Sequence, residues 1–405
     1  MKFELKIKQE LEQGTNLSII NLVGYLIEYA QSVFASDIHM DPTGDRMRVR
    51  FRVDGILRDV SSLPKAICSE VISRIKVLAG LRTDEHSAAQ DGRFRITFKD
   101  STPIDVRVSI TPAYYGENAV LRLLSQGEEN FDLEKLGLRK EDREKILSAI
   151  RRPHGMILST GPTGSGKTTT LYTLIKLLNT SEVSIVTIED PIEYAIADIR
   201  QIQVNHRSGL TFANGLRSIL RQDPNIIMVG EIRDEETAGI AVNTALTGHL
   251  LLSTLHTSDA STTLPRLLDM KIDSYLVAST VNVAMGQRLA RKICTACKSQ
   301  KKLSDAERRS LTELTVSKIL DNQMDFYYGA GCEKCGGSGY RGRVGIYEIL
   351  MVESNVRDAI LRKASAAEIK DIAMRNGMKP MIEDGLEKVK LGETTFEEVL
   401  RLIRE

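Results

Sequence analysis

The chain has 405 residues, 42% of them hydrophobic and 27% charged, and its 55 basic and 54 acidic side chains leave a formal net charge of +1. That length accommodates two or three globular domains, and so even a charge balance gives no footprint for a polyanionic partner. The best apolar run, Leu17 to Ala30, is broken by Asn21 and Glu28, and Met1-Lys2-Phe3-Glu4-Leu5-Lys6 has neither the apolar core nor the cleavage site of a signal peptide, so a cytoplasmic chain without a membrane span is expected.

Asn16 to Gln31 carries Leu17, Ile20, Leu22, Val23, Leu26 and Ile27 at helical spacing. Met47-Arg48-Val49-Arg50-Phe51-Arg52-Val53 alternates apolar and basic residues and turns at Asp54-Gly55, as a half-buried strand does. Ala66 to Leu78 reads as a helix, with Cys68 as a small buried apolar residue. Phe94 to Phe98 and Ile104 to Ile110 pair about Lys99-Asp100. The resulting sheet has one apolar face and one face rich in arginine, which for most of those arginines is simply solvated. These elements make a first domain of residues 1–126. A linker follows over 127–137, polar and acidic from Gly127 to Asp132, and then a helix from Leu138 to Arg151.

From Gly155 onward, strands alternate with helices. The strands are Met156–Thr160, Ser184–Ile188, Ile226–Val229 and Leu250–Thr254, and the helices are Thr168–Leu178, Phe212–Arg221 and Asp234–Thr247, with Gly248 ending the last. This is the pattern of a mostly parallel sheet covered on both faces, here over 138–290. A cysteine-bearing insertion spans 291–345. The tail, 346–405, is helical, and Thr395-Phe396-Glu397-Glu398 forms a capping box for its final helix.

Gly161-Pro162-Thr163-Gly164-Ser165-Gly166-Lys167-Thr168 fits G-x-x-x-x-G-K-[ST] in full, and Thr169 follows it into the helix. The run lies between a short apolar strand and an amphipathic helix, the setting that makes the pattern a phosphate site. Its glycines let backbone N–H groups wrap an anion, and the helix adds its positive end. In such a cradle for ATP, Lys167 reaches the β- and γ-phosphates and the Thr168 hydroxyl holds Mg²⁺.

Hydrolysis further needs a carboxylate near the metal, a group that orients water, and positive charge on the departing phosphate. Ile226-Ile227-Met228-Val229-Gly230-Glu231 is an apolar strand ending in an acid, with Gly230 where a Walker B motif usually has Asp. Glu231 therefore acts on the metal, its water shell or the attacking water. Glu189, Asp190 and Glu193 cluster at the end of the strand Ser184–Ile188, where such sheets bind ligands. The strand Leu250–Thr254 ends near His256, whose imidazole can sense a γ-phosphate. One or two of these acids, or a lone histidine, would ordinarily cap a helix or hold a loop. Three such endings beside one phosphate loop favour function.

Cys294-x-x-Cys297 and Cys332-x-x-Cys335 read as a tetrathiolate zinc site, closed and therefore structural. The 34 residues between the pairs leave room for a helix beginning at the capping box Ser304-Asp305-Ala306-Glu307. Disulfides do not suit a reducing compartment, and neither pair has the strand-to-helix setting of a redox dithiol.

Together these motifs resemble the secretion ATPase superfamily, the motors of type II secretion and type IV pilus assembly. Thr187-Ile188-Glu189-Asp190-Pro191-Ile192-Glu193 is similar to its Asp box, Gly230-Glu231-Ile232-Arg233-Asp234 to its Walker B, and Gly248-His249 through Ser253-Thr254-Leu255-His256-Thr257 to its His box. Ala35-Ser36-Asp37-Ile38-His39, Arg52-Val53-Asp54-Gly55 and Gln90-Asp91-Gly92-Arg93 resemble its N-terminal domain. The resemblance implies a PAS-like α+β domain followed by a RecA-like P-loop domain, with a tetracysteine zinc insertion and a helical C-terminus. It implies a homo-hexameric ring with ATP between the two domains. Glu193 polarises water, Glu231 acts with Mg²⁺, His256 contacts the γ-phosphate, Arg93 and Arg107 are arginine fingers, and Arg217 and Arg221 form a second arginine pair. The tetracysteine element resembles the assembly and secretion branches. Their members carry a further N-terminal domain that docks on an inner-membrane platform, and that docking surface is expected to lie outside this sequence. Attachment to the membrane then runs through partner proteins.

A nucleic-acid translocase on a related core would show a basic stripe with stacking aromatics. With no tryptophan and 5% aromatic residues, direct nucleic-acid binding is not expected. A non-catalytic nucleotide-binding scaffold would leave the acids without a role.

Overall fold

The structure, a computed structural model, describes residues 2–98, 103–125, 132–301 and 326–404, and its contacts divide the chain into two compact units, Met1–Glu129 and Asn130–Glu405. Much of the linker, the turn at Lys99-Asp100 and the capping box at Ser304 lie outside the described residues.

The first unit runs α1 (Lys2–Glu12), α2 (Ile19–Ser32), β1 (Ala35–Pro42), β2 (Arg46–Val53), β3 (Ile56–Pro64), α3 (Lys65–Ala79), β4 (Gln90–Ile96), β5 (Ile104–Ala113) and β6 (Gly116–Ser125). Its six strands pair antiparallel in the order β3-β2-β1-β6-β5-β4. Alternation sends Met47, Val49 and Phe51 of β2 into the core with Leu22, Leu26 and Ile75, while the arginines face outward. Asp54 and Gly55 both take positive φ, +49° and +85°, as a two-residue hairpin turn requires. Most outward arginines pair with carboxylates: Arg48 with Asp59, Arg50 with Asp41 at 2.7 Å, Arg95 with Asp105 at 2.8 Å and Arg122 with Asp37 at 2.9 Å. Cys68 is half-buried at the edge of this core rather than within it, because its position in α3 turns partly towards solvent.

The second unit opens with α4 (Lys140–Ile150), β7 (Gly155–Thr160), α5 (Lys167–Leu178), β8 (Ile185–Glu189), β9 (Arg200–Gln203), α6 (Phe212–Ile219), β10 (Ile226–Val229), α7 (Glu235–Leu246) and β11 (Leu250–Leu255). It continues through α8 (Ala260–Asp269), α9 (Ser274–Thr280), β12 (Val281–Ile293), β13 (Lys298–Lys301), β14 (Phe326–Gly329), β15 (Tyr340–Met351), α10 (Ser354–Leu361), α11 (Ala366–Arg375), α12 (Met381–Lys390) and α13 (Phe396–Arg404). Seven strands form one sheet in the order β15-β12-β7-β11-β10-β8-β9, parallel except for β15. The central strands are buried on both faces: β7 places Met156 and Leu158 in one apolar layer and Ile157 in the other. The fold is thus the expected mixed α/β class with a parallel nucleotide-domain sheet.

Three strands of this seven-stranded sheet have no counterpart among the expected elements. β9 is a short polar edge strand. β12 and β15 form a long antiparallel pair that widens the sheet, and the cysteine-bearing segment hangs from their ends. The capping box at Thr395 forms only in part. Glu398 donates its backbone N–H to Thr395 Oγ1 at 3.3 Å, but its carboxylate turns to the Arg291 guanidinium at 2.6 Å, the Arg291 backbone N–H at 3.1 Å and Arg401 at 3.1 Å, since charge-assisted bonds to guanidiniums are stronger than one to its own cap N–H.

Candidate functional site

The P-loop joins β7 to α5. Gly161 and Gly166 hold φ of +143° and +88°, and a side chain at Gly161 would meet the Gln287 carbonyl at 2.4 Å. The loop is therefore packed against β12 as well as bent. Gln287, buried on β12, donates from Nε2 to the Ser165 carbonyl at 2.7 Å and accepts from Ser159 Oγ at 3.0 Å, fixing strand and loop together. Gly164 has open space around it and Pro162 and Thr163 are exposed. Ser165 Oγ is buried without a partner.

Lys167 is 8% exposed and donates to the carbonyls of Gly161 at 2.7 Å and Pro162 at 3.0 Å. Burial pushes its ammonium down to about 8; the nearby Glu231 carboxylate opposes that, and Arg288 adds to it. Thr168 and Thr169 stand in the first turn of α5, which contains no acidic residue to offset its positive end. A buried lysine, an acid-free helix start and an orphaned hydroxyl are completed by a polyphosphate, so the residues fit ATP with its Mg²⁺.

The neighbouring strands deliver the remaining groups. β10 ends at Val229, and Glu231, two residues beyond it, is 9% exposed. Its Oε2 lies 3.0 Å from His256 Nε2 beyond β11, and its Oε1 lies 2.5 Å from Arg233 Nη2. Cross-strand bonds hold these ends in register: Thr254 Oγ1 donates to the Gly230 carbonyl at 2.8 Å, and Thr160 Oγ1 to the Thr257 carbonyl at 2.9 Å. His249 of the same motif contacts the Thr244 carbonyl at 3.2 Å.

The three acids beyond β8 divide. Glu189 is buried and accepts from Thr187 Oγ1 at 2.5 Å, Gln201 Nε2 at 3.1 Å and the Tyr172 hydroxyl. Asp190 is exposed and precedes a cis peptide to Pro191. Glu193 is half-buried on the following loop. Arg217 pairs with Glu236 at 2.7 Å, and Arg221 follows in a 3-10 turn, donating to the Arg217 carbonyl at 3.1 Å. In the first unit, Arg93 and Arg107 sit directly opposite each other on β4 and β5. Arg93 is exposed and, among the described residues, has no carboxylate partner. Sequence reasoning missed Tyr172, Gln201 and Gln287. Only Gln287, a polar residue in an apolar stretch, carried a local signal.

The four cysteines converge, with all sulfurs within 4.8 Å of one another. Cys294 and Cys332 lie 3.9 Å apart, Cys297 and Cys335 3.9 Å, and Cys332 and Cys335 3.7 Å, so no pair is bonded. Tetrahedral zinc with Zn–S bonds of about 2.3 Å spaces its sulfurs by about 3.8 Å, so this set fits that ion. The segment closes because Gly329 and Gly339 bring their backbones together: a side chain at Gly329 would stand 1.9 Å from the Gly339 carbonyl oxygen.

Residues 12–401 match the family model described as Type II/IV secretion system protein. The chain is 45% identical to the type II secretion system protein E of Xanthomonas campestris pv. campestris, over 95% of this chain and 67% of that protein. It is 44% identical to the type IV pilus assembly ATPase PilB of Myxococcus xanthus, over 97% and 69%. In fold it is similar to the ADP-bound pilus retraction motor PilT, with a TM-score of 0.63, 26% identity, and 93% and 95% of the two chains covered.

Proposed function

This chain belongs to the type II/IV secretion system protein family, and from that premise we propose that it is the ATPase that drives a type II secretion or type IV pilus assembly machine. The observation that carries the reading is the meeting of Glu231 with His256 at strand ends adjacent to the Lys167 loop. That arrangement supplies acid, imidazole and phosphate cradle on one rim of one sheet.

Lys167 and the loop N–H groups hold the β- and γ-phosphates. The Thr168 hydroxyl would hold Mg²⁺, which would supply positive charge against the phosphates. Glu231 acts on the metal's water shell, Glu193 polarises the attacking water, and His256 reports the γ-phosphate. Arg93 and Arg107 bring positive charge to the transferring phosphoryl group, with Arg217 and Arg221 as a second pair. Among the described residues Arg93 has no carboxylate partner, whereas Arg95 pairs with Asp105 and Arg122 with Asp37, which supports this role. Zinc on Cys294, Cys297, Cys332 and Cys335 is structural.

The working form is a homo-hexamer on the cytoplasmic side of the inner membrane, held there by platform proteins. Among the described residues no helix is long and apolar enough to cross a membrane. The test is phosphate release from Mg-ATP, measured with mass in solution in the presence and absence of a non-hydrolysable analogue. Turnover that disappears in Lys167→Ala and grows with assembly is expected. Folded, zinc-loaded, assembled protein that is inert towards ATP overturns the reading, and a monomer under every condition removes the arginine fingers supplied between subunits.

A further inference from the structure

The P-loop helix and the loop carrying Glu193 are tied together by one phenol oxygen. Tyr172 stands on α5, five residues beyond Lys167, and is fully buried. Its hydroxyl donates to Glu189 Oε2, and it accepts the Glu193 backbone N–H at 3.4 Å and Gln201 Nε2 at 3.3 Å. Its ring packs edge-on against Tyr194 at 4.7 Å. Gln201, on the short edge strand β9, grips the same loop from its far side. It donates from Nε2 to the Tyr194 carbonyl at 3.1 Å and accepts the Ile196 N–H at 2.7 Å. Both side chains meet on the buried Glu189 carboxylate, which also takes the Thr187 hydroxyl.

We propose that Tyr172 is a positioning residue that sets Glu193 against the phosphate loop, with Glu189 and Gln201 holding Tyr172 in place. A buried carboxylate held by neutral donors, with no cation paired to it among the described residues, is a costly arrangement. It fixes the direction of the phenol O–H. With that proton committed to Glu189, the phenol lone pairs face the Glu193 N–H. Burial and the Glu189 charge both push the Tyr172 phenol up, which keeps it a donor throughout the working pH range. The loop over 190–199 is thus pinned at Glu193, Tyr194 and Ile196 by two side chains, one of which grows from the helix that carries Lys167. A shift of α5 moves Glu193 with it, so phosphate binding and water positioning stay in register.

The inference rests on the assignment of Glu193 to water positioning, and the test separates the two. Tyr172→Phe keeps the ring packing and removes only the oxygen. In the assembled protein kcat should fall about tenfold with KM for ATP within about twofold, because the cradle is untouched while the water-orienting group is loosened. Glu193→Gln should lose turnover, and adding Tyr172→Phe to it should cost little more. Gln201→Glu sets two carboxylates against each other and should lower kcat. Pairing it with Glu189→Gln restores one donor and one acceptor and should recover most of the rate. Wild-type kcat in Tyr172→Phe, or full additivity with Glu193→Gln, overturns the positioning role. Turnover preserved in Glu193→Gln overturns the assignment beneath it. A uniform loss of melting temperature, KM and kcat in Tyr172→Phe makes Tyr172 merely structural.

Discussion

Glu231 Oε2 lies 3.0 Å from His256 Nε2, a contact made between the ends of the adjacent parallel strands β10 and β11. The same carboxylate takes Arg233 on its other oxygen at 2.5 Å. Glu231 is therefore oriented before nucleotide arrives, and a charge change at the phosphate can pass through it to an imidazole and a guanidinium.

Glu231→Gln should retain ATP-analogue binding within a few-fold and lose turnover by about 10²–10³, because the amide keeps the shape and removes the charge. His256→Asn should lose about tenfold, since it removes the partner of the Glu231 carboxylate rather than the acid itself. Fluorescent-nucleotide binding and phosphate release, measured on the same preparations, check both.

Lys167 sits at about 8 without nucleotide because burial disfavours its charge. A bound polyphosphate favours the charged form, so binding above that pH takes up a proton. Affinity for ATP should be flat below about pH 8 and weaken above it, towards tenfold per pH unit. Calorimetry in buffers of different ionisation heat reads the proton uptake directly. Lys167→Met should abolish the dependence along with most of the affinity.

One zinc per chain is expected from the tetracysteine cluster. Cys335→Ser, which removes the sulfur that takes the Cys332 N–H at 3.1 Å and the Gly339 N–H at 3.3 Å, should release the metal and lower the melting temperature. Elemental analysis and thermal unfolding before and after chelation are the measurements, and full zinc content in that variant would exclude a four-sulfur site.

Glu398 ties α13 to β12 through Arg291. Burial pushes its carboxyl up, but the Arg291 and Arg401 guanidiniums outweigh this and hold it down to about 2, against 4.5 ordinarily. A depressed folded value means the contribution is complete above about 4.5 and is lost as pH falls towards 2. The C-terminal helix should loosen across that window. Glu398→Gln should flatten the acid dependence and cost about 2 kcal/mol at neutral pH by leaving the half-buried Arg291 guanidinium without its charged partner. Stability measured against pH for both proteins decides it.

The strands β7, β8, β10 and β11 were legible because burial on both faces makes each a short continuous apolar run. β12 was not, because Asn282, Gln287, Arg288 and Arg291 break its pattern, and Asn282, Gln287 and Arg291 each find a partner elsewhere. β9, reading Arg200-Gln201-Ile202-Gln203, is an edge strand with one apolar residue. The glycines at Gly342 and Gly345 disguised β15 in the same way. Of the candidate site, the phosphate loop, Glu231 and His256 could be named from motif and strand ending. The partition of Glu189 from Glu193 could not, because only the approach of Tyr172 and Gln201 makes one a buried anchor and leaves the other half-buried.

The chemistry of the loop Gly161–Thr168 and the two-by-two spacing of the cysteines follow from the order of residues, because each is a local backbone or spacing device that needs no distant partner. The tertiary structure alone decided what braces those devices. Gln287 reaches Ser165 across 122 residues, Glu398 reaches Arg291 across 107, and Tyr172 finds Glu189 across 17. Those meetings depend on strand register and on helices packing across the sheet, and no local periodicity encodes either.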